Sequence, residues 1–176
     1  MKKNILAIIG STRANSSNLN LVKALAEKSI DIFNIEIFDC IDKLPHFNPD
    51  LDNEHVANEV IEFRQKIKNA DGLIICTPEY IFSLPGSLKN AIEWCVSTTV
   101  FSQKPIGLIT ASSSGQLGHK ELQLVMKTVE SKFTNETTLL ISGIKGKLDK
   151  MGNLFDSETI EKLNKFIIAF DKLVNE

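Results

Sequence analysis

The chain has 176 residues, 43% hydrophobic and 24% charged, and its 20 basic and 22 acidic side chains leave a formal net charge of −2. That length suits a single domain, residues 1–176, with a sizeable buried core, and the near-neutral balance argues against a nucleic-acid partner. No apolar run reaches the ~18 residues that a membrane span requires.

Ile5-Leu6-Ala7-Ile8-Ile9 is apolar at every position, as a central strand covered on both faces must be. Gly10-Ser11-Thr12-Arg13-Ala14-Asn15-Ser16-Ser17-Asn18 follows, and then a helical stripe of Leu21, Val22, Leu25 and Ala26. Strand, hydroxyl-rich turn and helix start together suit an anion. Unpaired N–H groups point outward there, and the macrodipole favours negative charge. Ser11, Ser16 and Ser17 can donate, and Arg13 offers a bidentate fork. The same loop also suits plain capping, for which Ser and Asn are the ordinary residues. It contains neither G-x-x-x-x-G-K-[ST] nor G-x-G-x-x-G, which argues against an NTPase and against dinucleotide binding on this strand.

Ile32 to Phe38 alternates as a strand exposed on one side. Asp39 to Asn53, with two prolines and several Asn and Asp, reads as a long loop whose Phe47 and Leu51 are candidate exposed contacts. Val56, Val60, Phe63 and Ile67 predict a helix from about Glu54 to Asn69. Leu73-Ile74-Ile75-Cys76 is a second wholly apolar strand, ending in Thr77-Pro78-Glu79-Tyr80-Ile81-Phe82-Ser83. Ser83 is the expected cap of the next helix and Pro85 suits its first turn. That helix carries Leu84, Leu88, Ala91, Ile92 and Cys95 on one face, with Trp94 as a packing residue. Ile106 to Thr110 is the fourth strand, running into Ala111-Ser112-Ser113-Ser114-Gly115. Leu122, Val125, Met126 and Val129 mark the fourth helix, and Thr137 to Ile141 the fifth strand. Gly143 to Phe155 is irregular and holds three glycines. Asp156 or Ser157 caps a last helix with Ile160, Leu163, Phe166, Ile167 and Phe170 in its stripe.

Met1-Lys2-Lys3-Asn4 leads straight into the first strand, and Arg13 follows too soon for a secretory signal. Cys40, Cys76 and Cys95 are odd in number without a C-x-x-C pair, which fits free thiols in a reducing cytosol and a cytoplasmic protein. His46, His55 and His119 lack metal-ligand spacing, so no metal site is expected.

Strict strand–helix alternation means α/β architecture, a five-stranded parallel sheet with helices on both faces. In the order 2-1-3-4-5 the connections reverse direction between strands 1 and 3, opening a crevice at their carboxyl ends where FMN is the known occupant of such folds. The polar loops after strands 1, 3 and 4 converge on that edge, and together they predict a phosphorylated ligand.

Two motifs carry a resemblance. Gly10-Ser11-Thr12-Arg13 with Ser16 and Asn18 is similar to G-S-x-R-x-x-S-x-N. Thr77-Pro78-Glu79-Tyr80, Ser83, Pro85-Gly86 and Leu88-Lys89-Asn90-Ala91-Ile92-Glu93-Trp94 are similar to T-P-E-Y-N-x-S-x-P-G-x-L-K-N-A-I-D-W. Both belong to the NADPH-dependent FMN reductase family, a flavodoxin-like group that includes quinone, azo-dye and chromate reductases. The resemblance implies a flavodoxin-like three-layer sandwich. It implies FMN phosphate held by Ser11, Arg13, Ser16 and Asn18, with Ser17 contributing main chain. Pro78, Glu79, Tyr80 and Ile81 would line the isoalloxazine, and Ser112, Ser113, Ser114 and Gly115 would close the site. Ile81 departs from the family's Asn, exchanging an amide for a β-branched apolar group. Glu79 is expected to be structural, in the loop or toward a partner subunit, and no acid–base residue is nominated.

The implied activity is ping-pong transfer of hydride from NADPH or NADH through bound FMN to a small acceptor such as a flavin or quinone. The alternative is a flavodoxin-like FMN electron carrier without a nicotinamide site, which the charge of −2 and Arg13 disfavour. A scaffold that has lost its flavin is a third reading, with Ile81 its one hint. The family also implies a homodimer or homotetramer, for which the 39–53 loop and the Phe82 region are the candidate contacts.

Overall fold

A computed structural model describes residues 1–176. Its elements alternate as β1 (Lys3–Ile9), α1 (Ser17–Lys28), β2 (Phe33–Phe38), α2 (Asn58–Asn69), β3 (Gly72–Thr77), α3 (Gly86–Glu93), β4 (Ile106–Ser112), α4 (Gln116–Thr128), β5 (Thr138–Ser142) and α5 (Ser157–Asn175). The five strands are parallel in the order β2-β1-β3-β4-β5, as expected from sequence. No helix is long and apolar enough to cross a membrane.

Successive strand residues point to opposite faces, and the central strands divide accordingly. Leu6, Ile8, Leu73, Ile75, Ile106 and Leu108 pack with Phe63 of α2, Leu88 of α3 and Met126 of α4. Ile5, Ala7, Ile9, Ile74, Cys76, Ile109 and Ala111 pack with Leu21 and Leu25 of α1 and with Leu163, Phe166 and Phe170 of α5. These are the three layers. Fully burying each Leu, Ile, Phe or Met among them contributes roughly 1.5–3 kcal/mol. A strand apolar on both faces is therefore driven to the middle of the sheet, and polar groups are left to the strand ends.

Several boundaries differ from the sequence reading. The second helix begins at Asn58 rather than near Glu54. Asn53 Oδ1 accepts the His55 N–H at 2.8 Å and Asn53 O accepts Val56 N–H at 3.1 Å, so a local turn competes with the first helical turn. Ser83 does not cap α3. Its backbone is engaged with Tyr80, and Pro85 stands at the N-cap without a side-chain hydrogen bond. Thr137 precedes β5 because its hydroxyl closes a capping box with Thr134. Of the two candidate caps of α5, Asp156 is the one used, accepting the Thr159 N–H at 2.9 Å.

The long connection after β2 contains single 3-10 turns at Ile41–Lys43 and Pro49–Leu51 and is tethered to α3. Pro45 O accepts from Asn90 Nδ2 at 3.0 Å and from Trp94 Nε1 at 2.7 Å, while Asn90 Oδ1 accepts the Phe47 N–H at 2.7 Å. Phe47 is half-buried, not exposed as expected, because its ring meets Trp94 edge-on at 5.1 Å. Leu51 is exposed. Arg64 pairs with Asp52 at 2.8 Å and donates to Trp94 O, and Ser97 donates to Asp52 at 2.5 Å. Burial opposes ionisation of Asp52, yet hydrogen bonds from Ser97 and Arg64 hold its carboxyl below the usual range. The Asn90 and Trp94 of the second motif thus act on this loop.

Asn90→Ala removes both amide bonds to the loop and leaves Phe47 N–H unpaired, a loss of about 1–3 kcal/mol. Limited proteolysis should then cut within residues 39–57 faster than in the parent chain, and an unchanged cleavage rate would contradict the tether.

Candidate functional site

At the carboxyl edge of the sheet a cavity of about 430 Å³ lies between the loops after β1, β3, β4 and β5. It is within the range of small-molecule sites. β1 ends close against β3: Gly10 N–H donates to Cys76 O at 2.8 Å, and a Cβ at Gly10 would lie 2.4 Å from Thr77 Oγ1. Only glycine allows that approach, and it directs the following loop into the crevice.

Ser11, Arg13, Ser16, Ser17 and Asn18 all line the cavity. Ser16 is the N-cap of α1, its hydroxyl accepting from Leu19 N–H at 3.1 Å. The N–H groups of Ser17 and Asn18 have no acceptor within the chain, as the start of a helix dictates. Arg13 is exposed and belongs to no ion pair, while Ser11 is buried and its Oγ accepts the Arg13 N–H at 3.4 Å. Hydroxyls, open N–H groups and an unpaired guanidinium form a donor set that fits a phosphate monoester. The Asn18 side chain is committed elsewhere. Its Nδ2 donates to Ala111 O at 3.2 Å and its Oδ1 faces Cys76 Sγ at 3.3 Å, so it offers the cavity its backbone. Burial pushes the Cys76 thiol far above its ordinary pKa.

Pro78, Glu79 and Tyr80 form the wall after β3. Glu79 spans to α4: Oε1 accepts Gly115 N–H at 3.2 Å and Oε2 accepts Gly118 N–H at 2.7 Å. The N-cap of α4 is Gly115, at φ +87°, which has no side chain to cap with, and a carboxylate from another loop takes that place. Glu121 of α4 returns the contact by accepting Leu84 N–H at 3.2 Å. Between these anchors Tyr80 and Ser83 exchange two backbone hydrogen bonds of 3.0 Å around Ile81 at φ +51° and Phe82 at φ +59°. Such a turn favours Asn and Gly at its centre. Here a β-branched residue holds a left-handed conformation, and Ile81 and Phe82 are 96% and 71% exposed.

Ser112 and Ser113 line the cavity, whereas Ile81, Ser114 and Gly115 lie outside its lining. Ile81 is at the turn's tip, and Ser114 O and Gly115 N–H are engaged with Ser142 and Glu79. Sequence reasoning missed Ala111 and the segment Gly143, Ile144, Lys145 and Gly146. The available signal was that the carboxyl end of β5 falls on the same edge and is followed at once by glycine. Gly143, at φ +67°, turns the chain so that its N–H meets Ser113 O at 3.1 Å. Nearby, His119 Nδ1 sits 2.9 Å from Thr110 Oγ1, and burial pushes its pKa down, favouring the neutral ring. A larger hollow of about 810 Å³ opens at the opposite edge, but Lys66 and Glu36 in its wall are paired with each other and its lining contains no serine, threonine or arginine.

A family model described as NADPH-dependent FMN reductase matches residues 3–143. The chain is 33% identical over 185 residues to a 2-hydroxy-1,4-benzoquinone reductase of a Burkholderia species, covering 100% of this chain and 98% of that protein. It is 32% identical over 176 residues to an NADPH:quinone oxidoreductase of Arabidopsis thaliana, covering 94% and 88%. Among solved structures it is similar to FerB, a flavoenzyme NAD(P)H:(acceptor) oxidoreductase from Paracoccus denitrificans, with a TM-score of 0.81, 25% identity and coverage of 98% and 97%.

Ile81→Asn should relieve the left-handed strain and raise stability by about 1 kcal/mol. Thermal unfolding checks this: the expected result is a midpoint rise of roughly 2–4 °C, and a fall would contradict the strained turn.

Proposed function

The chain belongs to the NADPH-dependent FMN reductase family of oxidoreductases, and on that footing we propose that its carboxyl-edge cavity holds FMN while reducing equivalents pass from NADPH or NADH to a quinone, flavin or similar small acceptor. The observation that carries this reading is the donor set at the start of α1, which matches a phosphate monoester within a cavity of suitable size. When bound, FMN supplies hydride acceptance from the nicotinamide and hydride release to the acceptor.

The chain's own part is binding, orientation and electrostatics. Ser11, Ser16 and Ser17 donate hydroxyls toward the phosphate, Ser17 and Asn18 add their open N–H groups, and Arg13 supplies charge. Pro78, Glu79 and Tyr80 line one side of the ring; the Tyr80 N–H and C=O are held by Ser83, and Ile81 acts through that turn, which sets the path of the segment. Ser112 and Ser113 close the other side, with Ser114 and Gly115 fixing that loop from behind. The Glu79 carboxylate is occupied by two N–H groups, which makes it a positioning residue and not an acid or base. His119 is turned to Thr110, outside the cavity lining.

A quinone as acceptor is supported by the names of the Burkholderia and Arabidopsis relatives. A cytoplasmic setting is supported by three free cysteines. A homodimer or homotetramer is supported by the exposed Tyr80, Ile81 and Phe82 beside the cavity.

Arg13→Ala tests the phosphate end. Because Arg13 is exposed and unpaired, stability should stay within about 0.5 kcal/mol, while FMN binding, followed by flavin fluorescence, should weaken about tenfold or more. Equal FMN affinity in variant and parent would overturn the assignment.

A further inference from the structure

The phosphate end described so far has one cation, Arg13, reaching from the loop after β1. The cavity wall contains a second, Lys145, delivered by the segment after β5, a strand separated from β1 by β3 and β4. We propose that Lys145 is a further phosphate-binding residue, a second cation for the anion beside Arg13; this rests on the reading of the cavity as an FMN site.

Three observations single Lys145 out. First, it has no carboxylate partner, although its neighbour two residues on, Lys147, is paired with Asp156 at 2.9 Å. Second, its backbone is fixed. Gly143 N–H binds Ser113 O at 3.1 Å, Ser142 Oγ donates to Ser114 O at 2.7 Å, and Ile144 is buried in the core beside α1 and α5. The lysine therefore springs from an anchored turn beside β4. Third, Glu79 is the one carboxylate in the cavity wall, and both its oxygens are taken by the start of α4. The cavity thus presents two unpaired cations and an anion already satisfied, a balance that suits a phosphate carrying nearly two negative charges. The two cations differ in kind: the Arg13 fork fixes geometry, whereas the Lys145 ammonium acts as a point charge and tolerates variation in the anion's position.

A pyridine nucleotide also carries phosphate, so the test separates the two sources. The full chain, freed of flavin, is titrated with FMN and with riboflavin, which lacks the phosphate, and binding is read from flavin fluorescence. Lys145→Gln should weaken FMN about threefold to tenfold at low salt, leave riboflavin within about twofold, and lose most of its effect at high salt. Lys147→Gln serves as the control and should leave the FMN-to-riboflavin ratio unchanged. Unchanged FMN affinity in Lys145→Gln would overturn the proposal, as would equal losses for both flavins. A shift confined to the ratio of KM for NADPH and NADH would also overturn it, by assigning the lysine to the nucleotide's phosphate. A parent chain that binds FMN no better than riboflavin would refute the phosphate end itself, a different failure from that of the lysine alone.

Discussion

The Glu79 carboxylate, bonded to Gly115 and Gly118 N–H, is the contact on which the cavity depends. It supplies the cap that the glycine at the start of α4 cannot, and in doing so it fastens the loop after β3 to the helix after β4. Asn18 makes the corresponding link on the other side, joining the start of α1 to the ends of β3 and β4 through Ala111 O and Cys76 Sγ. Three loops far apart in sequence are thereby cross-linked at one sheet edge. A small ligand there meets prearranged donors, which lowers the ordering cost of binding.

That arrangement rests in turn on two-sided burial of the sheet. The apolar residues of β1, β3 and β4 are consumed by cores above and below, so the polar groups that line the cavity collect where the strands stop. The connections leave in opposite directions on either side of β1 and β3, and the gap between them is the crevice. The second motif serves two purposes. Its first half, Pro78 to Ser83, builds a cavity wall, and its second half, through Asn90 and Trp94, ties down the 39–57 connection. Ile81 and Phe82 hold left-handed conformations at the rim. Strain of that kind is retained only where neighbouring contacts over-determine the turn, here the anchors at Glu79 and Glu121.

The strands, their order and the Ser11–Asn18 loop were legible in the sequence because each follows from local periodicity or from residue types at a helix start. The features that were not legible depend on partners distant in sequence. Phe47 looks like an exposed loop residue until Trp94, 47 positions later, is placed beside it. Ser83 has the chemistry of a cap, but its backbone is claimed by the Tyr80 turn, so α3 starts later. Lys145 lies in an irregular glycine-containing stretch without pattern, and only the position of β5 at the sheet edge brings it to the cavity. Glu79 was legible as structural, yet its target on α4 required the fold.

The most direct test of the central claim is an anaerobic visible spectrum of the purified chain after it has been loaded with FMN and freed of excess, followed by addition of NADPH and, separately, NADH. An FMN-dependent reductase gives a retained oxidised-flavin band at ~450 nm that bleaches rapidly with at least one of the two nucleotides. A retained band that neither nucleotide bleaches would contradict a reductase and identify a carrier. A chain that neither retains FMN nor turns it over in excess would contradict the assignment of the cavity.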